Sequence, residues 1–190
     1  MLEKRTLNKN VLLVDCDMRR PTLAEKLGVQ KKIGLSSYLT RKCQLDELMQ
    51  PCGIKGYENA FRVISAGQNP PNPIELLRSE RMKEGLCAMR ESFDYVILDL
   101  PPVGEVSDSL AVAKETDGML LIVRQNFCDR IALTDAVRQF DFISAKILGV
   151  VFNCTNEHGG RYGNGYYRRY YGVRHMYKKE GYSTDSYTRK

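Results

Sequence analysis

The sequence predicts an α/β domain built on a doubly wound, mostly parallel sheet. Three observations carry this. Short apolar runs rich in valine, leucine and isoleucine, too few residues for helices, recur at 11–14, 95–98, 119–123 and 147–153. Stretches with helical apolar spacing separate them. Two of the runs end in aspartate, at Asp15 and Asp99.

Taken in order, 11–14 reads as a strand buried on both faces, and Pro21 ends the extended run that follows it. Residues 22–27 form a short helix stopped by Gly28. Two helical turns fit 33–51, where Leu45, Leu48 and Met49 keep helical spacing, and 52–60 is a surface loop. A strand over 61–65 leads to a turn over 67–73, rich in proline, and Pro73 opens a helix that runs on to about Ser92. Its Leu76, Leu77, Met82, Leu86 and Met89 make an apolar face better read as core packing than as a binding groove. The strand that follows cannot pass Pro101, so Asp99 sits at its end. Ser107 or Asp108 can cap a helix through Glu115. The run 119–123 is apolar throughout and is expected to be a central strand; a helix over 129–143 and a last strand over 147–153 complete the alternation.

Composition narrows the classes. With 190 residues, 43% of them hydrophobic, the chain can bury one core, over residues 1–154. No apolar run approaches the roughly 18–20 residues that span a bilayer, and the chain is expected to be cytoplasmic. The six cysteines, Cys16, Cys43, Cys52, Cys87, Cys128 and Cys154, show no Cys-x-x-Cys pair, and there are two histidines. Mostly buried, reduced thiols are expected rather than a zinc site.

The chemistry gathers at two strand ends. Ligands of open α/β sheets bind beyond the carboxyl ends of the strands, so Asp15, Asp17 and Arg19 would project into that crevice and Asp99 would join them. One such run alone is more often a strand ending in a solvated polar turn; two together bring three carboxylates to one place. Magnesium takes one or two carboxylates along with phosphate oxygens and water, which suits such a cluster.

Residues 155–190 differ in kind. They hold the eight tyrosines Tyr162, Tyr166, Tyr167, Tyr170, Tyr171, Tyr177, Tyr182 and Tyr187, many glycines and almost no aliphatic side chain. Their eight basic residues against three acidic ones give a net charge of +5, nearly all of the chain's +6. A flexible, disordered tail is expected. A solvated basic tail and single-stranded nucleic-acid binding, which interleaves aromatic and arginine side chains, both fit that composition.

The ordered motifs resemble the bacterial tyrosine autokinases of capsular and exopolysaccharide synthesis. They are the apolar strand with Asp15-x-Asp17-x-Arg19 and the later strand ending Asp99-Leu100-Pro101-Pro102. With them stand Gly67-Gln68-Asn69-Pro70-Pro71-Asn72-Pro73-Ile74-Glu75-Leu76-Leu77, Val106-Ser107-Asp108-Ser109-Leu110 and Ile147-Leu148-Gly149-Val150-Val151-Phe152-Asn153. The resemblance implies a P-loop NTPase fold of the deviant Walker type, with ATP and Mg2+ as cofactors. It implies that Asp17 and Asp99 hold the metal, that Asp15 is the candidate base, that Arg19 steadies the site and that Asn153 contacts adenine. It makes the tail tyrosines the phosphoacceptors, with no nucleic acid as partner. The partners it implies are a neighbouring subunit in a ring, a membrane activator or chain-length regulator of polysaccharide export, which would bring the chain to the membrane, and a cognate tyrosine phosphatase.

The family's Walker A loop, Gly-x-x-x-x-Gly-Lys-Ser/Thr, does not occur in these residues. The resemblance places it ahead of Met1, with Met1–Arg5 as the tail of its helix and its strand absent from the middle of the sheet. The expected gap lies between the strand ending at Asp99 and the one ending at Val123, and the chain as written is expected to be inactive. A non-catalytic regulatory remnant phosphorylated by an intact relative, and a partition-type ATPase, are the competing readings.

Overall fold

The structure is a computed structural model and describes residues 9–155. The expected helix tail at Met1–Arg5 and the eight tail tyrosines lie outside the described residues. Strand β1 (Val11–Asp15) lies between β3 (Arg62–Ile64) and β4 (Tyr95–Asp99), parallel to both. A two-residue strand β2 (Gln50–Pro51), which the sequence does not announce, adds antiparallel to β3, so the four-stranded sheet has the order β2-β3-β1-β4. Strands β5 (Met119–Arg124) and β6 (Ile147–Asn153) pair in parallel as a separate two-stranded sheet. Among the described residues no strand pairs β4 with β5.

Three short helices line the first half, α1 (Leu23–Leu27), α2 (Leu35–Leu39) and α3 (Pro73–Leu77), with a 3-10 turn at Asp46–Leu48. Gly28 ends α1 in the left-handed region at φ 66°, which glycine adopts without steric cost. The single helix expected from Pro73 to Ser92 is in fact two, α3 and α4 (Glu80–Ser92). Ser79 makes the break: its Oγ donates to the Leu76 carbonyl at 2.6 Å and accepts from Met82 N–H at 3.2 Å, so it closes one helix and caps the next. Further on, α5 (Asp108–Ala113) is shorter than expected, and α6 (Arg130–Phe142) starts at Asp129, whose carboxylate accepts from Ala132 N–H at 2.7 Å.

The main core lies on one face of the four-stranded sheet, where Leu12 and Val14 meet Leu35, Leu48, Met82 and Met89, all buried. Both methionines of α4 are thus core side chains. A smaller cluster under the second sheet joins Leu121, Phe140 and Ala113.

The opposite faces are open, which corrects two expectations. Val11 and Leu13 of β1 are only half-buried, and beside them in register Tyr95 and Ile97 are 59% and 53% exposed. Strand β5, expected to be central, has β6 as its only partner strand among the described residues, and Leu120 and Ile122 on its open face are 58% and 63% exposed. The cysteines also depart from expectation, since only Cys16 and Cys52 are buried, while Cys87 and Cys154 are exposed.

Candidate functional site

The parallel pairing of β1 and β4 sets Asp15 directly opposite Asp99, and Cys16 N–H donates to the Asp99 carbonyl at 2.9 Å, extending the ladder one step beyond the strands. Local hydrogen bonds then fold the chain back at Asp15-x-Asp17-x-Arg19. Asp15 Oδ1 accepts from Asp17 N–H at 3.1 Å and Oδ2 from Leu23 N–H at 3.3 Å. Asp17 Oδ1 accepts from the backbone N–H groups of Arg19 and Arg20 at 3.2 and 3.0 Å. A carboxylate that accepts from amides two and three residues on is the turn former this tight reversal needs.

The two strand-end carboxylates differ in exposure. Asp15 is 1% exposed, and its pKa is pushed up to about 7, first by burial and then by the negative charge of Asp99, against the pull of the Leu23 and Asp17 amides. Asp99 is open to solvent; partial desolvation raises its pKa, the Lys26 ammonium opposes this and Asp17 adds to it. Glu105, on the loop after β4, is raised by desolvation, with Arg20 lowering and Asp17 raising it. Sequence reading missed Lys26 and Glu105 at this crevice. Neither carries a spacing signal, since one sits on a helix after the first strand and the other in a loop after the fourth.

Arg19 pairs with Asp108. Its Nε and Nη2 donate to Asp108 Oδ2 and Oδ1 at 2.7 and 3.0 Å, a bidentate pair with the Asp108 side chain fully buried and Arg19 31% exposed. Asp108 therefore does not cap α5; Ser107 stands at the cap position without a side-chain bond. Neighbouring Ser109 fixes the same turn by donating to the Pro101 carbonyl at 2.7 Å, and Asn69 Nδ2 donates to the Arg19 carbonyl at 3.1 Å. Three sequence motifs that read as unrelated thus meet around one arginine.

Asn153 is not brought into this group by pairing. It ends β6 in the second sheet, opposite Arg124, exposed, with its Oδ1 taking Cys154 N–H at 2.8 Å.

Among the described residues no three or more His, Cys, Asp or Glu side chains gather as a metal-holding group. Asp17 and Asp99 nonetheless suit magnesium. The turn after β1 brings Asp17 to the strand end where Asp99 lies, and magnesium needs only one or two protein carboxylates. The residues present fit the metal half of a nucleotide site and supply no glycine-rich phosphate cradle.

No family model matches the chain. It is similar to the tyrosine-protein kinase YwqD of Bacillus subtilis, 31% identical over 145 residues, which are 76% of this chain and 60% of that protein. Its structure is similar to the kinase domain of the Escherichia coli tyrosine kinase ETK, with a TM-score of 0.74 and 31% identity over 84% of this chain and 61% of that one. The cobyrinic acid a,c-diamide synthase of Mycobacterium smegmatis, solved with an ATP analogue and magnesium, shares the fold at 18% identity and a TM-score of 0.60 over 76% of this chain and 60% of that one. The chain spans about 60% of the length of YwqD and of the ETK kinase domain.

Proposed function

The chain belongs to the bacterial tyrosine-protein kinases, and from that membership we propose that it carries the metal-binding and base residues of a tyrosine autokinase acting in capsule or exopolysaccharide synthesis. The observation that carries this reading is the register of β1 with β4, which sets Asp15 beside Asp99 and lets the turn after β1 bring Asp17 to them.

ATP with magnesium supplies the transferable γ-phosphoryl group. Asp17 and Asp99, the more accessible pair, would hold the metal directly or through water, their negative charge matching its positive one. Asp15, enclosed opposite Asp99, takes the proton of the attacking tyrosine hydroxyl. Because Asp15 is 1% exposed, access to it requires the turn over residues 16–23 to open. Acceptors are the tail tyrosines of a neighbouring copy, Tyr162 to Tyr187, and Asn153 serves the adenine. A membrane-embedded partner of polysaccharide export anchors the kinase at the cytoplasmic face, and a cognate phosphatase reverses the modification. Among the described residues no helix is long and apolar enough to cross a membrane.

The test joins a relative's strand and Gly-x-x-x-x-Gly-Lys-Ser/Thr loop ahead of residue 1 and supplies magnesium and ATP. Phosphotyrosine is expected within 162–187, and Asp99→Asn should abolish it. A folded fusion that binds ATP yet forms no phosphotyrosine overturns the reading.

A further inference from the structure

We propose that Asp108 is a positioning residue that sequesters the Arg19 guanidinium, keeping it from neutralising Asp17 and Asp99 and so keeping that pair competent for a divalent cation. This rests on the metal role proposed for those two carboxylates.

The geometry gives Arg19 a choice of partners. Its backbone N–H is 3.2 Å from Asp17 Oδ1, so its side chain starts within reach of the Asp17 carboxylate and the crevice shared with Asp99. A guanidinium released there would make a bidentate pair with a carboxylate and occupy the cation's place. Instead it turns toward α5, where Asp108 takes both Nε and Nη2 from a position with no solvent exposure. A buried carboxylate needs such a partner, so the pair is tight on both sides.

The surrounding bonds hold this arrangement in place. Ser109 ties the same helical turn to Pro101, two residues past Asp99, and Asn69 holds the Arg19 carbonyl. Asp108 thereby lies on the segment that leads directly from the metal-side strand β4, and the arginine lies on the turn that carries Asp17. One ion pair joins the two walls of the crevice and holds the guanidinium of the Asp17 turn on Asp108.

The experiment uses the full 190-residue chain and Mn2+ as probe, with binding read from the electron paramagnetic resonance of the free ion, and the Arg19 Nε–H followed by NMR. Asp108→Asn should weaken Mn2+ by about tenfold, the effect of one added positive charge beside the carboxylates. Its Arg19 Nε–H should leave its buried environment and show contacts to Asp17 or Asp99. Arg19→Gln/Asp108→Asn removes guard and guarded charge together and should restore wild-type affinity within about twofold, which a merely structural ion pair does not predict. Asp108→Ser serves as a second single variant. If the wild type binds no Mn2+, the metal reading fails, and the NMR contacts of Asp108→Asn alone decide the sequestration. Arg19 moving out to solvent, unchanged Mn2+ affinity in a folded single variant, or single variants that unfold while the double variant folds and binds, each overturn it.

Discussion

Asp15 and Asp99 face each other across the β1–β4 pairing, one enclosed and one open to solvent, and that asymmetry separates their chemistry. Two like charges on adjacent strands cannot both be cheap. The enclosed one takes the larger rise in proton affinity, and the open one is left to water and cations.

A pH dependence of stability follows. Asp15 has a folded pKa of about 7 against an ordinary 3.8, so between these values the folded chain binds more protons than the unfolded one. Its contribution is most favourable below about pH 4 and is lost as pH rises to 7. Asp15→Asn should flatten this fall. At pH 8 it should be more stable than wild type by about 2 kcal/mol, after the amide gives up one of two backbone hydrogen bonds. Urea melts from pH 4 to 8 check it; a wild-type stability that rises across that range contradicts the enclosure of Asp15.

Nucleotide affinity of the 190 residues alone should be poor. The Asp17 and Asp99 carboxylates would face the phosphates with no glycine-rich cradle among these residues, so magnesium ATP should bind in the millimolar range or weaker. Titration calorimetry decides it, and micromolar affinity would show that another set of amides does the cradling.

Gly34 is expected to tolerate no side chain. A Cβ there would stand 2.3 Å from both Gly67 N and the Ser65 carbonyl oxygen, backbone atoms that cannot swing away. The φ of −166° is ordinary extended backbone, so the cost is contact alone. Gly34→Ala should lose about 2–4 kcal/mol in chemical denaturation and loosen the turn that carries Asn69.

The open sheet faces should make the 190-residue chain adhesive. Tyr95, Ile97, Leu120 and Ile122 present apolar surface next to strand edges that lack a second partner among the described residues. Strong fluorescence of an apolar dye and concentration-dependent association are expected. Ile97→Lys with Ile122→Lys should reduce both without lowering the melting temperature by more than a few degrees. A monomer at high concentration with no dye binding would mean that these faces are covered.

The tail should act as a charge switch. Each phosphotyrosine adds roughly 1.5–2 negative charges, so modification of all eight would reverse the +5 of residues 155–190. Unmodified tails should associate with the acidic crevice of a neighbouring copy, weakly at high salt, and phosphorylated ones should not. Sedimentation of the chain mixed with an intact relative before and after phosphorylation measures this. An eight-fold Tyr→Phe variant that assembles and responds to ATP like the parent removes the tail from the mechanism and favours single-stranded nucleic acid as the ligand of its arginines.

What the sequence alone determined was whatever depends on neighbours along the chain. Apolar runs of strand length, Pro101 behind Asp99 and Gly28 behind Leu27 state their roles within a few residues, because periodicity and ring closure act at that range. The polar turn after the first strand was legible for the same reason, whereas the gap beside the Asp99 strand was expected through a family resemblance alone. Tertiary structure decided the rest. Ser79 reads as one more helical residue until its hydroxyl bridges two helices, and the apolar run of β5 reads as central until its partners are counted. Asp108 reads as a helix cap, yet Arg19, 89 residues away, takes its carboxylate, since a buried charge is bound by the strongest partner that packing brings near. The proton affinity of Asp15 likewise belongs to no residue by itself. It is set by the depth at which β1 lies and by the charge that β4 carries opposite it.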